Sequence, residues 1–169
     1  MHGFRRRTYA SPGEAIADAR SILSRWREIR SLMRGEGIGA AFRERLMLVV
    51  TEVNGCRYCS YGHSRRALAE GIAEEEVEAL TQGVLADSPS EEVPALFYAQ
   101  HWAEADGTPD PEARARVVHL YGGERVEQIE LILRMIRMGN LMGNSWDYVL
   151  YRISFGRWGA PGHAERESA

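Results

Sequence analysis

Cysteine is scarce in this chain: there are two, Cys56 and Cys59, three positions apart. A pair so close in sequence cannot staple distant parts of a fold, and in a reducing compartment it points to redox chemistry or metal binding. Long apolar runs are missing too. No stretch approaches the roughly 20 residues of a membrane span. The basic opening, MHGFRRRTYA, is not followed by the apolar run of a secretory signal. The expectation is a cytoplasmic protein with no membrane partner. A large charge imbalance is also lacking: 21 basic against 24 acidic side chains leave −3, which gives no strong pull towards nucleic acid. Strand signals are nearly absent, and no repeat, low-complexity tract or interdomain linker interrupts the sequence. What remains is a single all-α domain over 1–169, long enough to bury a real core.

The helices are written in periodicity and punctuation. Ser11-Pro12 is a cap followed by a first-turn proline. Ala19, Ile22, Leu23, Trp26, Ile29 and Met33 then repeat at helical spacing as one helix. Glycines at 35, 37 and 39 end it. A second helix over 40–53 carries Phe42, Leu46, Val49, Val50 and Val53, and Asn54-Gly55 stops it. A third begins at or just before Cys56 and ends at Gly71. An acidic helix at 74–80, one at 91–106 and one opened by Asp110-Pro111 follow. The last starts near Glu124, is apolar nearly all round, and is therefore expected to be buried, either centrally or at a subunit contact. A bundle of about six to eight helices is the prediction. Residues 1–10 read as a loosely held arm and 157–169 as a mobile tail.

The chemistry concentrates in one stretch, 44–63, ERLMLVVTEVNGCRYCSYGH. At about 100° per residue, Cys59 and His63 share a helix face one turn apart. Cys56 lies two turns from His63, so the imidazole serves Cys59 alone, while the two sulfurs are close enough for a disulfide. Cys59 is thus the thiol a base can activate, and Cys56 the thiol that attacks whatever Cys59 becomes. A helix N-terminus favours thiolate. A third group must orient the imidazole, and Glu44 or Glu52, on the preceding helix, could do so. The sequence admits other readings of these residues. Cys56, Cys59 and His63 supply three of the four ligands of a structural zinc module. Glu44, in the run Arg43-Glu44-Arg45, could be a solvated helix end, and Glu52 an ordinary ion-pair member. Tyr58 and Tyr61 could wall a pocket, but core is the simpler reading. Asn140 and Asn144 read as helix-bonding or interface residues, Gly139 and Gly143 as points of close helix approach, and His101 and His119 as surface or packing residues.

Glu44, Asn54-Gly55-Cys56, Tyr58-Cys59 and His63, extended by Ala67, Gly71, the helix at 74–80 and GNLMGNSWD at 139–147, resemble the alkylhydroperoxidase D-like (AhpD-like) branch of the carboxymuconolactone decarboxylase superfamily. The resemblance touches about two-thirds of the chain. It implies an all-helical homo-oligomer, a trimer or hexamer, acting as a thiol peroxidase. It makes Cys59 peroxidatic, Cys56 resolving, His63 the proton relay and Glu44 its partner. The substrate would be a hydroperoxide and the reductant an external dithiol protein, with no cofactor and no metal. Some members carry a second histidine where this chain has Tyr58. Lactone decarboxylases of the superfamily lack the cysteine pair, which disfavours that activity. The alternatives are a non-peroxidatic redox sensor or dithiol carrier and the zinc module.

Overall fold

The structure is a computed structural model that describes residue 4 and residues 6–159. Residues 1–3 and 5 of the expected arm, and 160–169 of the expected tail, lie outside the described residues. Eight helices and no strand occur among those described: α1 Pro12–Ser24, α2 Trp26–Met33, α3 Ala40–Asn54, α4 Arg57–Ala69, α5 Glu74–Thr81, α6 Val93–Glu104, α7 Pro111–Tyr121 and α8 Gly123–Ile153.

α3 is the hub, packed against α4, α5, α6 and α8. Every residue from 42 to 51 on it is buried, charged ones included, which is the signature of a helix enclosed on all sides. α8, 31 residues long, lies along α3 and also meets α1, α4, α6 and α7. Its apolar belt, Val126, Ile129, Leu131, Ile132, Leu133 and Ile136, is buried.

Several expectations need correcting. The first apolar stripe is not one helix: it breaks at Arg25, whose backbone leaves helical geometry (φ −103°, ψ 23°). Neither glycine nor proline marks the break. It lets α2 turn so that Ile29 and Leu32 are buried, while Leu23, Trp26 and Met33 of the same stripe face outward. Phe97 is exposed, although Leu96 and Trp102 of its pattern are buried. Segment 6–9, expected to be loosely held, is bonded along its length. Arg7 donates to the Ala103 and Glu104 carbonyls at the end of α6, its own carbonyl accepts from Asn144 (2.9 Å), and the Tyr9 N–H donates to Ser145 Oγ (3.1 Å).

Candidate active site

The sequence builds the site at the junction of α3 and α4. Gly55 ends α3 in the left-handed conformation (φ 70°), which glycine adopts without a Cβ penalty. The chain then doubles back and Cys56 becomes the cap of α4. Its Sγ accepts from the Cys59 N–H at 3.3 Å, so a sulfur fills the role that a hydroxyl or carboxylate oxygen usually plays at this position. Cys56 and Cys59 are joined as a disulfide, with Cα atoms 5.3 Å apart. The two sulfurs are not equivalent: Cys56 is 1% exposed, whereas Cys59 is only partly buried.

His63 follows one turn after Cys59 on α4. Its Nδ1 lies 2.7 Å from Glu44 Oε2. A carboxylate only accepts, so Nδ1 carries the hydrogen, and in the neutral ring Nε2 is the basic nitrogen. Glu44 is 1% exposed. Burial alone would push its carboxyl up, but the bond to and charge of His63, helped by Arg43, outweigh this and hold it below the ordinary carboxylate range. Arg43 Nε approaches Glu44 Oε1 at 3.4 Å and is itself tied to the Leu32 carbonyl at 3.1 Å. The solvated-helix-end reading of Glu44 is therefore wrong.

Glu52, the second carboxylate that sequence offered for His63, lies elsewhere. Its side chain sits against Gly83, after α5. Burial, and then the charge of Glu104, raise its carboxyl above the ordinary value. The structure joins Cys56 to Cys59 and His63 to Glu44, with Cys59 and His63 one turn apart on α4, and puts no Glu52 oxygen on His63.

Tyr58 and Tyr61 are not core; they are 46% and 67% exposed. The Tyr58 hydroxyl donates to Asp147 Oδ1 (2.8 Å), and Arg57 Nη2 donates to the same oxygen (2.7 Å) and to Tyr58 Oη (2.9 Å). Asp147 is fully buried on α8. Its other oxygen accepts from Arg6 Nη1 at 2.7 Å. Sequence reasoning singled out neither Asp147 nor Arg6, although the stretch 139–147 closes on the first of them.

The Gly-Asn repeat of α8 does two jobs here. The amide of Asn144 donates to the Asn54 carbonyl (2.8 Å) at the end of α3. Asn140 donates to the Val50 carbonyl (3.4 Å) and accepts from Thr51 Oγ1 (3.2 Å). Both clamp α8 to the C-terminal end of α3, and Asn144 does so at a helix-end carbonyl that lacks a helical partner. Gly143 lies over the disulfide: a Cβ there would fall 2.8 Å from Cys56 Sγ and 3.9 Å from Cys59 Sγ. Outside the site, His101 Nε2 accepts from the Asp110 N–H (3.1 Å) and His119 is exposed. Among the described residues no group of three or more His, Cys, Asp and Glu side chains is arranged to hold a metal ion. Nor is any helix long and apolar enough to cross a membrane.

The family model described as "Carboxymuconolactone decarboxylase family" matches residues 21–105. The matched span contains Glu44, Cys56, Cys59 and His63 and stops before α7 and α8. No curated protein and no solved structure matches the chain. With half of its length covered by that match and an all-helical fold around the pair, the chain belongs to the carboxymuconolactone decarboxylase family.

Proposed function

We propose that the protein is an AhpD-like, cysteine-based oxidoreductase that reduces hydroperoxides, or disulfides, at the expense of an external dithiol protein. The observation that carries this reading is the buried Glu44 carboxylate on His63 Nδ1, one helical turn from a cysteine already paired with its neighbour. In the reduced protein His63 Nε2 takes the Cys59 proton. The thiolate attacks the outer oxygen of ROOH. The O–O bond breaks, Cys59 becomes the sulfenic acid, and the alkoxide leaves as ROH with the proton held by His63. The Cys56 sulfur then attacks the Cys59 sulfur, releasing water and forming the disulfide.

Exposure supports the direction of the reductive half. A donor thiolate reaches the partly exposed Cys59 rather than the buried Cys56. Attack on Cys59 expels Cys56 as thiolate onto the cap of α4, where the Cys59 N–H and the positive helix end stabilise it. The donor's second thiol then releases Cys59. The sum is one ROOH and one dithiol converted to ROH, water and one disulfide, with no cofactor or metal required.

The test is peroxide turnover with a recycling dithiol. Sustained turnover is expected in the wild type and none in Cys59→Ser; turnover that survives in that variant rejects the assignment. A redox sensor or dithiol carrier would show reversible disulfide formation without turnover. A homo-oligomer, trimer or hexamer, working in the cytoplasm completes the proposal. It is supported by exposed Met142, Trp146, Val149 and Ile153, which recur at helical spacing along the end of α8.

A further inference from the structure

Two residues lie between the cysteines, and one buried carboxylate holds both. Asp147 Oδ1 accepts from Arg57 Nη2 and from the Tyr58 hydroxyl. Asp147 Oδ2 accepts from Arg6 Nη1, whose Nη2 donates to the Gly159 carbonyl (2.8 Å). The carboxylate is fully buried, and the Arg6 side chain nearly so. Asp147 stands one turn beyond Gly143 on α8, and the Gly143 Cβ position lies 2.8 Å from Cys56 Sγ. Residues one turn apart have Cβ atoms roughly 6 Å from each other. The ion cluster is therefore a near neighbour of the sulfurs.

We propose that Asp147 is a positioning residue for the Cys56–Cys59 couple: it fixes Arg57 and Tyr58 and neutralises the guanidinium charge beside the sulfurs. The inference rests on reading that pair as a redox couple. The charged and titratable groups around the pair are Arg57, Tyr58 and His63 from α4, Glu44 from α3, Asp147 from α8 and Arg6 from the arm. With Asp147 in place, two guanidinium charges share one carboxylate at close range. Without it, both act on the sulfurs uncompensated, and a positive field favours thiolate over disulfide. Losing Arg57 instead leaves the Arg6 guanidinium balanced by the carboxylate, a less positive field than in the wild type, and works the other way.

The experiment measures two constants in Asp147→Asn, Arg57→Gln and the double variant. One is the equilibrium with a dithiol–disulfide buffer; the other is the pH midpoint of Cys59 alkylation in the reduced protein. Asp147→Asn is expected to shift the equilibrium about tenfold towards the dithiol, about 30 mV, and the alkylation midpoint to lower pH. Arg57→Gln is expected to move both oppositely, with the double variant between them. Shifts of the same sign in both single variants, or constants unchanged while thermal stability falls, would mean a purely structural role and overturn the proposal. If Asp147→Asn does not fold, the exposed Arg57→Gln decides alone: a shift towards disulfide and higher pH supports the proposal, and no shift refutes it. A wild-type pair that does not equilibrate reversibly with the buffer would instead overturn the redox reading itself.

Discussion

Three consecutive charged residues, Arg43, Glu44 and Arg45, are all buried on α3, and each has a partner. Arg43 holds Glu44 and a backbone carbonyl, Glu44 holds His63, and Arg45 holds Glu76 (2.7 Å) and Glu92 (3.2 Å). Burial without such partners would cost several kcal/mol per charge. This is why the sequence left Glu44 open: a charged triplet reads as solvated unless the groups that cover it are known, and they come from α2, α4, α5 and the turn before α6. Glu44→Gln removes the negative charge facing His63 Nδ1 and adds an amide donor that can hold the ring in the other tautomer, and it should lower peroxide turnover by about a hundredfold or more. Glu52→Gln should leave turnover within about twofold, since that side chain lies against Gly83; equal losses in the two variants would reject the assignment of Glu44. Their pH signatures differ in sign. The Glu44 carboxyl is depressed, so its contribution to stability is full above the ordinary carboxylate value, about 4.3, and is lost as pH falls through its lower folded value. Glu52 is raised, so it weakens the fold as pH rises through the window above the ordinary value. Denaturant unfolding from pH 3 to 7 should show less acid sensitivity in Glu44→Gln and a gain at neutral pH in Glu52→Gln.

α8 shows what periodicity reveals and what it hides. Its all-round apolar character announces burial, and two asparagines in so apolar a helix need hydrogen-bond partners if buried, which leaves packing and an interface role equally open. The partners of that repeat were not legible, because they are carbonyls at the end of α3 and the sulfur of Cys56, about ninety residues away in the chain. The break at Arg25 was equally silent: its cause is tertiary, the burial of Ile29 and Leu32, and no residue type signals it. Gly143→Ala should bring a methyl group against Cys56 Sγ. Overpacking of this kind typically costs about 1–3 kcal/mol. Because α8 is clamped by Asn140 and Asn144, the sulfur must give way. The expected outcome is a lower midpoint in denaturant together with slower disulfide formation after peroxide; Gly139→Ala, with open space at its Cβ position, is the control and should change neither.

The bundle as a whole was readable because each helix carries its own face. The outward-facing apolar residues were not, since a stripe alone does not say whether it turns to this chain or to another. Leu23, Trp26 and Met33 looked like core and are exposed, as are Met142, Trp146, Val149 and Ile153 on α8. Monomers rarely leave large contiguous apolar surfaces in water. If the proposed oligomer packs through this stripe, Trp146→Glu should lower the mass found by sedimentation equilibrium without altering helix content; an unchanged mass would remove the α8 stripe from the proposed contact.

The unequal cover over the two sulfurs also decides how the protein wears out. Strong oxidant arriving from solvent meets only the outer sulfur, so irreversible sulfinic and sulfonic damage should accumulate there while its inner neighbour is spared. Every molecule lost to peroxide excess would then carry the same single lesion, and the bundle around it would remain folded.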